Sequence, residues 1–240
     1  MPYILLWLEG PLQSWGADSK SWQRNTEKFP TKSAITGIIL SAMGLGGEQQ
    51  ELLATLAPLD LVVTAYSKSI TIPPELKDFH MIGSGFNSDD KWENLQIPKN
   101  AIGKKVNGSG SKLSYRYYCQ DMAYAVAFQL PENLIESASK YLQSPIWPIY
   151  LGRKCCVPSD VVFRGVFPIV EEALKAADTV ATNKSKNKIF TVKQGDLSET
   201  LEEDDIADIF SIMDVPISFG LNKKYRERTV TIIYEKLHND

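Results

Sequence analysis

Two adjacent cysteines stand beside a basic pair in the stretch SPIWPIYLGRKCCVPSD, residues 144–160. Cys155 and Cys156 could act as a nucleophile or as metal ligands, or they could fill space beneath two cations, Arg153 and Lys154, that hold an anion. A nucleophilic thiol needs a base, and no histidine is near these cysteines in the sequence. Neighbouring side chains of an extended segment point apart, which makes a poor chelate. We therefore expect both cysteines to be small buried residues.

Histidine is scarce in the chain, which limits the chemistry available. The 240 residues contain only His80 and His238. This argues against a catalytic triad, a zinc site and a two-histidine nuclease. The sequence also has neither a Walker loop nor a dinucleotide fingerprint. It therefore predicts no metal and no cofactor, and it favours binding over catalysis.

Composition predicts an ordinary globular protein. The chain is 43% hydrophobic and 23% charged, and its length allows one large domain or two small ones. No apolar run approaches the roughly 20 residues of a membrane span. The start, MPYILLWLEGPLQ, lacks a basic segment and is typical of a buried strand, not of a signal peptide. Three cysteines, an odd number, are expected to be reduced, as in the cytoplasm.

Charge is distributed unevenly along the chain. The net charge is −3, and seven carboxylates fall between Asp196 and Asp208. Basic residues form four clusters: Lys20, Arg24, Lys28 and Lys32; Lys99, Lys104, Lys105, Lys112 and Arg116; Lys184, Lys186, Lys188 and Lys193; Lys223, Lys224, Arg226 and Arg228. A protein with a negative total can still present a positive groove, because local fields outweigh the sum. Each cluster can also be a solvated face.

The stretch FPTKSAITG has the composition of a helix start that could hold a phosphate. Thr31, Lys32 and Ser33 would bring free N–H groups, hydroxyls and a cation together there. A plain N-cap explains the same residues equally well. Ser33, Gly37 and Ser41 form a stripe of small residues at a spacing of four, over which another backbone, of RNA or of protein, could approach closely.

Aromatic residues next to polar and basic ones favour contact with single-stranded RNA. Gln13 and Trp15 follow the first predicted strand, and Arg116 stands between Tyr115 and Tyr117. Such a cation can hold a phosphate while a ring stacks on a base. Trp15 can equally be a core aromatic, and the alternation around Arg116 also fits a half-exposed strand.

The order of predicted elements indicates a split β-α-β arrangement. Apolar and β-branched runs predict strands over 3–8, 59–66, 123–130 and 161–166, and helices follow Pro30 and Pro131. The fold class is therefore α+β, with a ferredoxin-like or RRM-like domain over residues 1–167. Residues 67–120 lack regular patterning and form a long insertion. Residues 168–240 form a small C-terminal region with a helix near 171–177 and strands near 216–219 and 229–234.

Five motifs in the same order resemble the CasD family. They are LEGPLQSWG, FPTKSAITGIILSAMG, DFH, YRYYCQD and PIYLGRKCC, and the resemblance runs from about residue 3 to residue 158. CasD is the subunit of the type I-E CRISPR Cascade complex that holds the 5′ handle of the crRNA. The resemblance implies an RRM-like domain whose thumb is inserted between the second and third strands.

The resemblance also implies a function and partners. The protein would cap the crRNA 5′ handle without cutting RNA. Its thumb would pack against the neighbouring backbone subunit of the filament, and its other side would meet the large subunit that reads the PAM. Target DNA would be reached through the complex. No cofactor and no membrane are implied, and the location is cytoplasmic.

The family motifs and the basic clusters together give the candidate site residues. The candidate RNA contacts are Gln13, Trp15, Arg24, Lys28, Lys32, Ser33, Arg116, Tyr117, Arg153 and Lys154. The candidate thumb contacts are His80, Lys104 and Lys105. Cys156 matches the family's usual cysteine, so that the cations would face RNA while the sulfur faces the core.

Two alternative functions stay open on the sequence. Related subunits of type I-C systems process crRNA themselves, and here His80 with Tyr117 or with a thumb lysine could provide acid–base cleavage. A scaffold whose basic clusters contact target DNA, through Lys104 and Lys105 or through the lysines of 184–193, is the other alternative.

Overall fold

An antiparallel sheet of seven strands runs through the chain. The structure, a computed structural model, describes residues 1–16, 22–82, 87, 89–92, 99–104 and 112–236. The strands of this sheet are β1 (Tyr3–Glu9), β4 (Leu61–Ser67), β7 (Ala123–Gln129), β8 (Phe163–Phe167), β9 (Asn187–Gln194), β10 (Ala207–Ser218) and β11 (Lys224–Tyr234). They lie side by side in the order β10-β11-β9-β4-β7-β1-β8.

The four strands β4-β7-β1-β8 form the ferredoxin-like half of the sheet. In chain order they are the second, third, first and fourth strands, and β7 lies antiparallel between β1 and β4. The helix α1 (Lys32–Ala42) connects the first pair, and α3 (Glu132–Gln143) connects the second. A short helix, α2 (Gln50–Leu56), precedes β4. The predicted α+β, ferredoxin-like fold class is confirmed.

Side chains on alternate positions of β1 enter two separate cores. Leu6 and Leu8 pack with Ile35 and Ala138 on the face covered by α1 and α3. The other face packs residues such as Leu5 and Trp7 against the alanines of α4 (Val170–Asn183). Because successive strand residues point to opposite faces, a strand that is covered on both faces must be apolar throughout. The unbroken run YILLWL satisfies this requirement.

The C-terminal strands continue the same sheet. β9 pairs with β4, β11 with β9, and β10 with β11, which places β10 at one edge. The predicted strands near 216–219 and 229–234 lie at the ends of β10 and β11, which both begin earlier. The domain boundary near residue 167 stays a prediction.

The insertion between β4 and β7 contains a long hairpin, called the thumb below. Its strands, β5 (Leu76–Ile82) and β6 (Lys112–Gln120), pair antiparallel from Leu76↔Tyr118 to Ile82↔Lys112. The short strands β2 (Leu12–Gln13) and β3 (Gln23–Arg24) also pair with β6. In the described part of the chain, no helix has the length and apolar character that crossing a membrane requires.

Candidate nucleic-acid interface

An open cleft of about 730 Å³ lies beside α1. One wall is the exposed side of α1, and a second is the loop of residues 148–153. Arg24 of β3 also lines the cleft, as do Phe219, Lys223 and Tyr225 of the β10–β11 hairpin. The cleft thus forms where three parts of the chain meet: the start of the ferredoxin-like half, the C-terminal hairpin and the thumb base, which is the end of the thumb at residues 76–78 and 115–118 together with β3.

The small-residue stripe of α1 forms the floor of this cleft. Ser33, Gly37 and Ser41 all line it, one helical turn apart. A Cβ atom built on Gly37 would have no neighbouring atom within 4 Å, so that no described residue covers the middle of the stripe. The predicted close approach over this stripe therefore stays available to a bound molecule.

The charged side chains that line the cleft are all cationic. They are Arg24, Arg153 and Lys223, and no described lining residue is a carboxylate. Low dielectric walls strengthen such a one-sided field inside a groove. The arrangement favours an anionic ligand.

Arg153 is fixed in place by the elements around it. Its two terminal nitrogens donate to the carbonyl oxygens of Tyr117 (3.1 Å) and Arg24 (2.9 Å), and its guanidinium lies 4.5 Å from the ring centre of Tyr118. Arg153 therefore ties the thumb base and β3 to the 148–153 loop, and it contributes charge from that fixed position. Lys154, next to it, is exposed and does not line the cleft.

Arg116 lies in the middle of the thumb base, beside Arg24. The two arginines are register partners in the parallel pair β3–β6, while Asp78 of β5 is the partner of Arg116 on its other side. Register partners on neighbouring strands share a face, and like charges there repel. The Nε of Arg116 is buried and has no hydrogen-bond partner. The register thus places two guanidinium groups and the one carboxylate of Asp78 side by side on this face of the thumb.

Tyr115 and Tyr117 lie on the opposite face of the thumb from Arg116, because side chains alternate along a strand. A cation does reach their rings, but it comes from β5: the Nζ of Lys77 is 4.5 Å from the ring centre of Tyr115 and 5.9 Å from that of Tyr117. Phe79 packs against Tyr115 with ring centres 5.5 Å apart. Sequence reasoning missed Lys77 and Phe79, because their pairing with the tyrosines exists only across strands.

The aromatic residues of the cleft were not among the candidates predicted from the sequence. Tyr150, Phe219 and Tyr225 line it together with Lys223. Burial raises the pKa of the Tyr225 hydroxyl above its ordinary value. The stretch KKYRER carried the available signal, since it interleaves an aromatic residue with the fourth basic cluster.

The structure does not favour the predicted RNA contact at Lys32. Its side chain is buried, and its ammonium donates to the carbonyl oxygens of Ala57 (2.7 Å) and Leu59 (2.5 Å) and to Oε1 of Gln194 (3.0 Å). An ammonium has three donors, and all three are used. Burial, and next the nearby guanidinium of Arg228, lower the pKa of Lys32 to about 8.

The start of α1 is already occupied by an anion of the protein itself. Oδ2 of Asp214 accepts from the backbone N–H of Lys32 at 2.7 Å, and Arg228 binds the same carboxylate through two nitrogens at 2.7 and 2.9 Å. Thr31 caps the helix by accepting from the N–H of Ala34. The helix start is thus a plain cap closed by Asp214, and the predicted phosphate seat there is filled.

Gln13 and Trp15 are core residues, and neither side chain is exposed. Gln13 donates through Nε2 to the carbonyl oxygens of Leu8 and Met122, and Trp15 packs edge-on against Tyr124 with ring centres 6.2 Å apart. The structure favours a supporting role for both, since they hold the segment whose neighbours Ser14 and Gly16 line the cleft.

The remaining candidate residues are exposed or lie outside the description. Lys28 and Lys104 are exposed and do not line the cleft. His80, on the thumb, is hydrogen-bonded to the carboxylate of Asp78. Lys105 and His238 lie outside the described residues.

The two adjacent cysteines differ in exposure. Cys156 is buried, as expected, and burial is the main reason that its thiol pKa is raised to about 12. Cys155 is exposed, so the expectation that it fills the core was wrong. The tight turn after Arg153 explains the difference, because the N–H of Cys156 bonds back to the carbonyl of Arg153 and turns only one sulfur inward.

The comparisons with known proteins all lead to CRISPR-associated proteins. The model of the family described as CRISPR-associated protein (Cas_Cas5) matches residues 3–231. "CRISPR system Cascade subunit CasD" of Escherichia coli (strain K12) is 24% identical over 174 residues, which cover 68% of this chain and 70% of that protein. A chain of a structure described as "CRISPR RNA-guided surveillance complex" has a TM-score of 0.72 at 22% identity, covering 97% of this chain and 89% of its own. One described as "Crystal structure of Cas protein" has a TM-score of 0.57 at 21% identity, covering 97% and 94%.

Proposed function

This chain belongs to the Cas5 family of CRISPR-associated proteins, and we propose that it is an RNA-binding subunit of a Cascade-type surveillance complex. In this proposal it caps the 5′ handle of the crRNA and does not cut RNA. The relative named as a Cascade subunit supports the assignment to a complex. The assembled protein would act on target DNA only through that complex.

The observation that carries the proposal is the cleft beside α1. No described residue covers Gly37 on its floor, its lining charges are Arg24, Arg153 and Lys223, and its lining includes three aromatic residues. A sugar–phosphate backbone needs cations and a narrow approach, and unstacked bases need ring faces. The cleft supplies all three within about 730 Å³.

The thumb supplies a second surface, for which we propose contact with the neighbouring backbone subunit. Phe79, Met81 and Leu113 share one face of the hairpin and are 53%, 52% and 50% exposed. Exposed apolar side chains that lie together mark an interaction site. Lys104 and Lys105 remain proposed polar contacts of the thumb, as does His80, which lies on the opposite face of the hairpin from Phe79. The large subunit would meet the chain elsewhere.

The geometry of the thumb supports a non-catalytic role. His80 and Tyr117, one of the two pairings considered for cleavage, lie on opposite faces of the hairpin, since Lys77↔Tyr117 and His80↔Ser114 are three positions apart in register. They cannot act on one 2′-hydroxyl as acid and base. The other pairing, of His80 with a thumb lysine, is left to the cleavage test. Incubating the purified protein with repeat RNA tests this point: defined cleavage that disappears in His80→Ala would support the nuclease instead.

Removing two cleft cations tests the binding proposal. In complexes purified through a tag on this chain, Arg24→Gln with Lys223→Gln should reduce crRNA retention at least tenfold. The slope of log affinity against log salt should fall by roughly 0.7 for each lost phosphate contact. Lys140→Gln with Lys175→Gln, which removes two exposed charges elsewhere, is the matched control. Equal retention in both double variants would contradict the cleft as the RNA site.

A further inference from the structure

The first half of β10 is an unpaired edge of the seven-stranded sheet. On its inner side it pairs with β11, and among the described residues no strand pairs with its outer side. Its second half is different: Asp214, Val215 and Ser218 are buried, and Asp214 bonds to the start of α1. The free edge therefore extends from Ile206 to Met213.

The register shows which backbone groups this edge presents. The N–H of Tyr234 donates to the carbonyl of Ile206 at 2.9 Å, which makes these two residues a hydrogen-bonded pair. In an antiparallel ladder such pairs alternate with pairs whose N–H and C=O groups point away from each other. With Ala207↔Ile233 next in an unshifted register to Met213, the groups of 207, 209, 211 and 213 point outward.

The side chains of this edge are apolar and exposed. Ile206 is 65% exposed, Met213 68%, Ile209 38% and Phe210 37%. A long apolar edge with free backbone groups is a template for pairing with another strand, and proteins usually cover or blunt such an edge. The edge therefore has the properties of an interface that is completed by another chain.

The segment that leads into this edge is strongly acidic. Residues 196–208 carry seven carboxylates and no basic residue. Only Asp205, with Lys236 at 3.6 Å, has an ion pair in this segment within the described chain, and Asp208 accepts from the hydroxyl of Tyr234 at 2.8 Å. A surface with this charge repels RNA and DNA and attracts cationic groups.

We propose that the Ile206–Met213 edge docks an extended segment of another protein subunit, which adds a strand to the sheet and carries basic side chains toward the 196–208 carboxylates. The backbone groups of the edge give affinity, as in other cases of strand addition, and the carboxylates select the partner by charge. The inference rests on the proposed function only in that this partner belongs to the same complex.

A second copy of this chain is a poorer occupant of the edge. Two copies that paired along β10 would bring fourteen carboxylates, seven from each, to one junction. Like charges placed opposite each other across strands are destabilising. Charge complementarity therefore points to a different, basic chain.

A single proline tests the proposal. Ser211→Pro removes an outward N–H and leaves the β11 ladder intact, because residue 211 donates away from β11. When the chain is co-expressed with the other subunits of its complex, this variant should lose one protein partner at least tenfold while its crRNA retention stays unchanged. Ser211→Thr, which keeps the N–H, is the matched control and should retain the partner.

Hydrogen exchange keeps the proposal testable even if the proline variant fails to fold. In the wild-type chain, the amides of 207, 209, 211 and 213 should exchange at least tenfold more slowly in the purified complex than in the chain alone. Unchanged exchange, or a Ser211→Pro complex of full composition, would overturn the inference. A wild-type homodimer that Ser211→Pro dissociates would overturn it in favour of self-pairing. Loss of RNA with all proteins retained would count against the proposed function and not against the edge.

Discussion

Lys32 shows how this fold accommodates a charge in its interior. Its ammonium has three acceptors, from Ala57, Leu59 and Gln194, and the carboxylate of Asp214 lies at the start of the same helix. A buried charge is tolerated when its donors are satisfied and an opposite charge is near. Lys32, one of the candidate RNA contacts, is therefore a buried part of the junction beneath the cleft. Its lowered pKa means that these contacts do not fully offset the burial of its charge.

The lowered pKa of Lys32 makes a prediction about pH. The unfolded chain holds the proton up to the ordinary pKa of 10.5, whereas the folded chain releases it at about 8. Between these values the unfolded state binds more protons, so that stability rises with pH. The free energy of unfolding of the wild type should therefore gain on the order of 3 kcal/mol relative to Lys32→Met from pH 8 to 10.5.

Denaturant unfolding of both proteins across this pH range measures the difference. The comparison with Lys32→Met cancels the tyrosines that titrate in the same range. Parallel pH profiles would show that the ammonium of Lys32 keeps its ordinary pKa in the folded chain.

At the scale of elements, one side of α1 packs into the core and the other side lines the cleft. Ile35 and Ile39 are buried on the core side, and Gly37 and Ser41 line the cleft. A large side chain on the core side would be expected from periodicity alone, whereas packing against the described residues does not require the stripe to be small, since none of them lies within 4 Å of a Cβ built on Gly37. The stripe therefore belongs to the function of the cleft.

Two substitutions of Gly37 distinguish an effect on RNA binding from an effect on folding. Gly37→Leu should fill the cleft and reduce crRNA retention at least tenfold, because the new side chain would occupy the path of the backbone. Gly37→Ala places only a Cβ in open space and should raise the free energy of unfolding by about 0.5 to 1 kcal/mol, as is usual for this change inside a helix. Retention and thermal melting of both variants provide the measurement, and equal RNA retention by Gly37→Leu would contradict this role for the stripe.

The sequence predicted most of the elements with a buried face, but it missed β9 and the two thumb strands. β9 has Ile189, Phe190 and Val192 buried, yet the surrounding lysines made this stretch resemble a basic linker. The strands of the ferredoxin-like half and the two helices that follow prolines have clear apolar periods, so that their order could be read directly. The thumb strands have exposed residues on both faces, such as Phe79 and His80, and thus carry no period that distinguishes them from a loop. The contacts of the cleft depend on which distant segments meet, which no local pattern encodes.

At the scale of the whole molecule, the carboxylate of Asp214 connects the C-terminal hairpin to the ferredoxin-like half. Asp214 of β10 bonds to Arg228 of β11 and to the first N–H of α1, and both side chains of the pair are almost fully buried. Lys223 and Tyr225 stand on this hairpin and face the stripe of α1. The contacts of Asp214 therefore hold this hairpin against the start of α1, next to the cleft.

Neutralising one partner of this pair should destabilise the whole chain. Asp214→Asn leaves Arg228 buried without a counter-charge, and we expect a loss of about 3 kcal/mol in the free energy of unfolding. Adding Arg228→Met removes the unpaired buried charge. The double variant should therefore lose less free energy of unfolding than the sum of the losses of the two single variants. Chemical denaturation of the four proteins in this cycle checks it, and additive losses would mean that the pair does not interact.

The binding of the crRNA 5′ handle in the cleft beside α1 is tested by locating the crRNA in the assembled complex. A photoreactive amino acid placed at position 223, in the assembled complex, reports which nucleotides lie in the cleft. If the cleft holds the crRNA, the crosslinks are confined to the repeat-derived 5′ handle, and they disappear when Gly37→Leu is introduced as well. Crosslinks to the guide portion or to the 3′ end, or an RNA that does not react at all, would contradict it.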